Sequence, residues 1–169
     1  MTKGSRELFT FTHPASVADW SAIDDVVMGG LSRSHLAHDP AGHAVFGGIV
    51  SLENNGGFAS VRSNPADLSA PGAVACQLVV RGDGKQYKLS LRTDERFDGV
   101  SYQHAFRPKA GEWVALELPL AAFVPTHRGK VLTDVPALNP ARLCQAGLLI
   151  AGRQAGSFLL AIRAIRLLL

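Results

Sequence analysis

The sequence predicts an all-β fold, a sandwich or barrel of roughly nine or ten short strands. Three observations carry this. Apolar and polar residues alternate in short runs, most cleanly in Tyr87-Lys88-Leu89-Ser90-Leu91-Arg92. Turn formers, among them 17 glycines and nine prolines, separate those runs. No long stretch repeats with the 3.6-residue period of a helix. With 169 residues, 47% of them hydrophobic, the chain is long enough for one domain, residues 1–169, with a substantial core.

Residues 7–11 read as a first strand, ended by His13-Pro14. Residues 17–20 are expected as one helical turn with Ser16 as N-cap. Two stretches then organise the chain. One is Trp20-Ser21-Ala22-Ile23-Asp24-Asp25-Val26-Val27-Met28-Gly29-Gly30-Leu31-Ser32, the other Asn54-Asn55-Gly56-Gly57-Phe58-Ala59-Ser60-Val61-Arg62. Each has the form of a tight corner feeding a strand. Glycine suits places where φ is positive or the backbone passes close to another group. Asn and Asp suit the same corners because their side chains bond nearby backbone. Between the corners, strands are expected over 31–38 and 44–52, joined by a turn at Asp39-Pro40-Ala41-Gly42. The Gly47-Gly48 pair marks a bulge or a close backbone approach. The second corner returns the chain as a strand over 58–63, completing a hairpin-rich half.

After a proline-bearing loop, strands are expected over 73–81 and 87–92, with Gly82-Asp83-Gly84 as a hairpin turn. Residues 94–99 turn the chain into a strand over 100–106, and 112–118 form the next. Ala121-Ala122-Phe123 makes a short turn, and 126–139 read as irregular, Pro136 and Pro140 limiting any helix. Residues 143–151 and 157–169 are expected as two final antiparallel strands joined through 152–156. Trp20, Phe46, Phe58, Tyr87, Phe106, Phe123 and Phe158 are expected in the core.

Net charge is +3 but uneven. Residues 1–72 carry four Lys/Arg against seven Asp/Glu, and residues 73–169 carry thirteen against seven. No run of adjacent basic residues occurs, so the basic half reads as a solvated sheet face and nucleic acid is not an expected partner. Cys76 and Cys144 sit in apolar runs, which favours reduced thiols over a bridge. Residues 1–7 lack the apolar core of a signal peptide, and residues 158–169 are too short to span a membrane. The expected setting is cytosolic.

Asp24-Asp25 has the residue types of a metal ligand or a general base. The favoured reading is that both carboxylates accept backbone N–H groups and pin the Gly29-Gly30 corner. His35, His38 and His43 do not share one strand face and are expected at the surface, so no metal or cofactor is expected. Gly82-Asp83-Gly84-Lys85 lacks phosphate-loop spacing, and no nucleophile motif is present. Lys88, Ser90, Arg92, Ser101 and Gln103 line one polar sheet face, bordered by Tyr102 or Trp113. That face reads equally as a binding surface for a sugar or protein and as an ordinary solvent side. Arg92 ranks first as a contact because its planar fork gives geometry as well as charge. An enzyme reading requires a pocket joining Asp24 or Asp25 to Arg92 or Arg128.

The two corners also carry a resemblance, supported by Phe46-Gly47-Gly48, Tyr87 with Leu91-Arg92-Thr93, Ser101-Tyr102-Gln103 with Phe106, and Trp113 with Leu118-Pro119. Residues 123–129 and 156–160 extend it over nearly the whole chain. The chain resembles the CIA30 family, the complex I intermediate-associated protein 30 family, in a compact form like its bacterial members. The resemblance implies a jelly-roll β-sandwich of the galactose-binding-domain-like type, shared with carbohydrate-binding modules. It implies a non-catalytic binding or assembly factor with a protein partner, and carbohydrate binding as the alternative. Lys88, Ser90, Arg92, Tyr102, Gln103 and Arg128 are the candidate contacts. Trp20, Asp24, Asp25, Met28, Gly29, Gly30, Asn54, Asn55, Gly56, Gly57, Phe58 and Arg62 are the structural motif.

Overall fold

A computed structural model describes residues 4–25, 29–96 and 99–169; Met28 and the side chain of Asn55, both part of the expected corners, lie outside the described residues. The strands are β1 (Ser5–Thr10), β2 (Trp20–Ala22), β3 (Arg33–Asp39), β4 (His43–Val50), β5 (Ala59–Ser63), β6 (Ala75–Arg81) and β7 (Tyr87–Arg92). They continue as β8 (Ser101–Phe106), β9 (Trp113–Pro119), β10 (Val124–His127), β11 (Lys130–Val131), β12 (Gln145–Ile150) and β13 (Gly156–Leu168). These form two antiparallel sheets. One runs β3-β4-β13-β6-β9, with β1 also paired to β13; the other runs β11-β10-β8-β7-β12-β5-β2. The fold is a jelly-roll β-sandwich.

Period-2 alternation decides which side chains face the core. In β7, Tyr87, Leu89 and Leu91 are fully buried, and in β6 so are Cys76, Leu78 and Val80. The central strand β13 contributes Leu160, Ile162, Ile165 and Leu167. Its register slips between Ile162 and Ala164, a bulge that keeps core residues inward on both sides of it. Full burial of one such side chain is worth roughly 1.5–3 kcal/mol. Phe58 departs from the expected core set, being only half buried.

Several expected connections are different, for a common reason. Gly82–Gly84 is not a hairpin turn, because β6 and β7 lie in opposite sheets. There the Asp83 carboxylate accepts the Tyr87 hydroxyl (3.0 and 2.9 Å) and the Leu159 N–H (2.8 Å), supporting β13 while the chain crosses over. The Asn54–Gly57 corner and the 152–156 link also cross between sheets rather than close hairpins. Alternation and turn chemistry look alike whether the next strand pairs or crosses. The stretch expected as irregular holds the β10–β11 hairpin, turned by Arg128 (φ 50) and Gly129 (φ 79). The expected helical turn at 17–20 is a 3-10 turn over Pro14–Val17, where proline fits the first position, and Trp20 already begins β2. Gly48 shows why the Gly47-Gly48 pair is there: a Cβ on it would lie 2.0 Å from the Arg33 carbonyl oxygen.

Candidate functional site

The most connected polar feature is a pair of carboxylates where the sheets meet. Asp25 is fully buried. Its Oδ1 accepts the Ser32 N–H (2.9 Å), and its Oδ2 accepts the Ser32 hydroxyl (2.5 Å), the Gly57 N–H (2.8 Å) and the Phe58 N–H (3.3 Å). Asp24 repeats the pattern with Ser34 N–H (2.9 Å), Ser34 hydroxyl (2.5 Å) and Ser60 N–H (3.0 Å). Ser32 also accepts the Ser51 N–H at 2.9 Å, which draws in the end of β4. The two carboxylates thus tie the entry to β3 in one sheet to the entry to β5 in the other. This corrects the expectation that they pin their own Gly29-Gly30 corner, since Gly30 N–H goes to the Asp25 backbone oxygen (2.8 Å).

The flanking glycines exist for this pair. A Cβ on Gly30 would lie 2.4 Å from Asp25 Cγ, and one on Gly56 would lie 2.6 Å from Asp25 Oδ2. Asn54 (φ 54) and Gly57 (φ 133) supply the backbone turn that aims the Gly57 and Phe58 N–H groups at the carboxylate. Burial pushes the Asp25 carboxyl up, but the Ser32 hydroxyl and the N–H donors of Gly57, Ser32 and Phe58 together hold it below its ordinary value. A carboxylate so enclosed is a weak proton acceptor. Its hydrogen bonds join the start of β3 to the start of β5.

The candidate contact residues separate. Strand register places Ser21, Arg62, Gly147, Ser90, Gln103 and Val124 in one row across the outer face of the seven-stranded sheet. Gly147 leaves the middle of that row low, since a Cβ there would meet Ser90 Oγ at 2.6 Å. Arg62, Ser21, Asn64, Glu95 and Gln145 line a concavity of about 310 Å³ at one end. Lys88, Gln86, Arg107 and Gln154 line another of about 230 Å³.

Arg92 does not fit the expectation of a first contact: it is buried, and its Nη1 donates to the Gly99 carbonyl (3.1 Å). Tyr102 is buried on the core side with its hydroxyl on the Pro136 carbonyl (2.8 Å), and burial, then Asp94, raises its pKa. Arg128 stands exposed at the turn of the outermost hairpin. Neither concavity includes Asp24, Asp25, Arg92 or Arg128. Ser21, Arg62, Gly147 and Val124 are the row members that sequence reasoning did not place there. Alternation alone assigns them a parity, and only the strand order puts them beside Ser90.

The histidines also move from expectation. His43 is buried rather than at the surface, edge-on to Trp113 with ring centroids 5.2 Å apart. Among the described residues, no three His, Cys, Asp or Glu side chains group as a metal would require. Cys76 and Cys144 are both free thiols, and burial pushes Cys76 up to about 12. Among the described residues no helix is long and apolar enough to cross a membrane.

A galactose-binding-domain-like sandwich with polar outer rows belongs to the architecture of carbohydrate-binding modules. The family 11 carbohydrate-binding module of a Clostridium thermocellum cellulase superposes with a TM-score of 0.73 over 99% of this chain and 95% of that one, at 12% identity. A family 29 module superposes with a TM-score of 0.57 at 9% identity, over 99% of this chain and 87% of that one. These likenesses establish the fold. The chain belongs to the Complex I intermediate-associated protein 30 (CIA30) family, whose model matches residues 9–162.

A Neurospora crassa relative, "Complex I intermediate-associated protein 30, mitochondrial", is 26% identical over 94% of this chain and 72% of its own length. The Drosophila melanogaster protein of the same name is 24% identical over 87% of this chain, which spans 56% of it. Both relatives are mitochondrial by name, which overturns the cytosolic setting expected from the sequence.

Proposed function

We propose that the protein is a non-catalytic binding factor in the assembly of respiratory complex I, holding a protein partner on the outer face of its seven-stranded sheet. The family match carries this reading, since two relatives are named as complex I intermediate-associated proteins. The cross-sheet row from Ser21 to Gln103 fits a partner surface: it is polar, continuous and lowered at Gly147. Lys88, Ser90 and Gln103 are its partner contacts, and Arg62 joins them. The clamp at Asp24 and Asp25 keeps the two sheets in register beneath it.

The row presents no aromatic ring among the described residues, and an aromatic platform is what an apolar sugar face would stack on. We therefore rank protein binding above carbohydrate binding. The test is affinity capture from native membranes with the wild-type protein and a Lys88→Ala/Gln103→Ala variant, read by mass spectrometry. Complex I subunits captured by the wild type and lost with the variant support the reading. A wild-type capture without any such subunit refutes it.

A further inference from the structure

The opposite side of the sandwich carries a second feature that the row above does not use. In the six-stranded sheet Trp113 stands directly across from Arg81 in the β6–β9 register, on the outer face. The β13 bulge falls at Arg163, and its guanidinium carbon lies 3.9 Å from the Trp113 ring centroid. That of Arg81 lies 5.0 Å away. A bulge re-aims one side chain without disturbing the core; here it sends an arginine onto the indole. His43 closes the group from below. It is 5% exposed, its Nε2 makes no hydrogen bond, and it stops 3.7 Å short of the Asp39 carboxylate.

Neither Arg81 nor Arg163 has an ion pair or a side-chain hydrogen bond among the described residues. Of the nearby carboxylates, Glu112 faces Lys109 at 3.9 Å, and Asp39 accepts the Ala41 N–H (2.9 Å) and lies beside His43. Two guanidiniums held against one indole keep fixed planes, while their N–H edges remain for an acceptor. Such an edge matches a carboxylate. The same outer face also exposes apolar side chains. Leu159 is 49% exposed and Ile49 is 57% exposed, and Gly47 sits opposite Leu159. Arg163 and Leu159 lie four residues apart on one strand, about 13 Å. A short extended segment spans that distance.

We propose that this face is a docking surface for an acidic segment of a partner protein, whose carboxylates bind Arg81 and Arg163 and whose apolar side chains cover Leu159 and Ile49. It rests on the reading of the protein as a protein-binding factor, and names the partner's chemistry. Charge complementarity selects the occupant, because neither cation has an ion pair among the described residues and residues 73–169 carry thirteen Lys/Arg against seven Asp/Glu.

The test uses the full chain and a fluorescein-labelled ten-residue peptide of alternating Glu and Leu, read by anisotropy. The wild type is expected to bind, with affinity falling as salt rises. An Arg81→Gln/Arg163→Gln variant is expected to bind at least tenfold more weakly, and an Arg142→Gln control to bind unchanged. A second readout is Trp113 emission in a Trp20→Phe background, which is expected to shift on binding as the arginines turn from the ring to the ligand. Equal binding by the double variant overturns the proposal. So does no binding at millimolar peptide, equal binding of a Lys-Leu peptide, or binding confined to phosphatidylglycerol vesicles. A failed peptide titration beside an intact complex I capture overturns this surface alone; failure of the capture overturns the function beneath it.

Discussion

Replacing Asp25 tests whether the buried clamp holds the sandwich together. In Asp25→Asn the side chain keeps its shape, but one carboxylate oxygen becomes an NH2 group. Oδ2 serves three donors and Oδ1 one, so the best orientation keeps the amide oxygen toward Ser32 Oγ, Gly57 and Phe58. The NH2 then faces the Ser32 N–H, leaving a buried donor without an acceptor, at about 1–3 kcal/mol. Loss of the charge weakens the remaining bonds, and the total is about 2–4 kcal/mol. Asp25→Ala leaves every donor unserved and is expected to cost about 3–5 kcal/mol. For a chain of this size each kcal/mol lowers Tm by roughly 2–4 °C, so Asp25→Asn is expected to melt about 4–16 °C below wild type.

Urea unfolding at several pH values separates the clamp from simple packing loss. The folded-state pKa of Asp25 lies below its unfolded value near 3.8. Its contribution is therefore present in full above that value and is lost as pH falls through the folded pKa. The stability gap between wild type and Asp25→Asn is expected to be constant at neutral pH and to narrow below about pH 4. Variants that both melt within about 2 °C of wild type, or a gap that does not change in acid, refute the clamp.

Gly57→Val is expected to unfold or aggregate the protein, because φ 133 is strained for a β-branched residue; a near-wild-type melting curve shows otherwise. Gly30→Ala places a methyl carbon 2.4 Å from Asp25 Cγ and is expected to destabilise by a few kcal/mol, about as much as Asp25→Asn, with no added loss when the two are combined. In thiol labelling of the folded protein, Cys76, pushed up to about 12 by burial, is expected to stay unmodified until unfolding, while the partly exposed Cys144 reacts slowly; rapid labelling of Cys76 contradicts the packed β6. Asp83→Ala removes the acceptor for Tyr87 Oη and Leu159 N–H and is expected to lower stability by about 2–4 kcal/mol, measured by urea unfolding.

The strands were legible because alternation is a local signal, and ten of the expected runs coincide with strands to within a few residues. Sheet membership was not. Gly82-Asp83-Gly84 has hairpin composition, yet the decisive partner of Asp83 is Leu159, 76 residues away. The same limit governs the candidate contacts. Lys88, Ser90 and Arg92 share a parity, and from that alone they share a face. Arg92 is nevertheless buried, and its Nη1 donates to the Gly99 carbonyl. Arg62 was legible as part of a corner motif, but its place beside Gly147 and Ser90 needs the β7-β12-β5 order. Phe58 follows a glycine corner that resembles a core entry, yet its backbone N–H is used on Asp25 and its ring is left half buried.

The two carboxylates also explain why a corner rather than a strand dominates the sequence pattern. Hairpins such as β3–β4 and β7–β8 fix strands within a sheet but not one sheet against the other. Here β4 and β5 are consecutive but lie in different sheets, and β2 and β3 likewise. Something must lock the two crossovers together. Side chains at Asp24 and Asp25 do so from one dipeptide, each bonding the β3 side and the β5 side at a different level. One carboxylate takes Ser32 with Gly57 and Phe58; the other takes Ser34 with Ser60. The glycines at 30 and 56 give room for that approach. The outer faces then carry a polar row on one side and the Arg81-Trp113-Arg163 stack on the other.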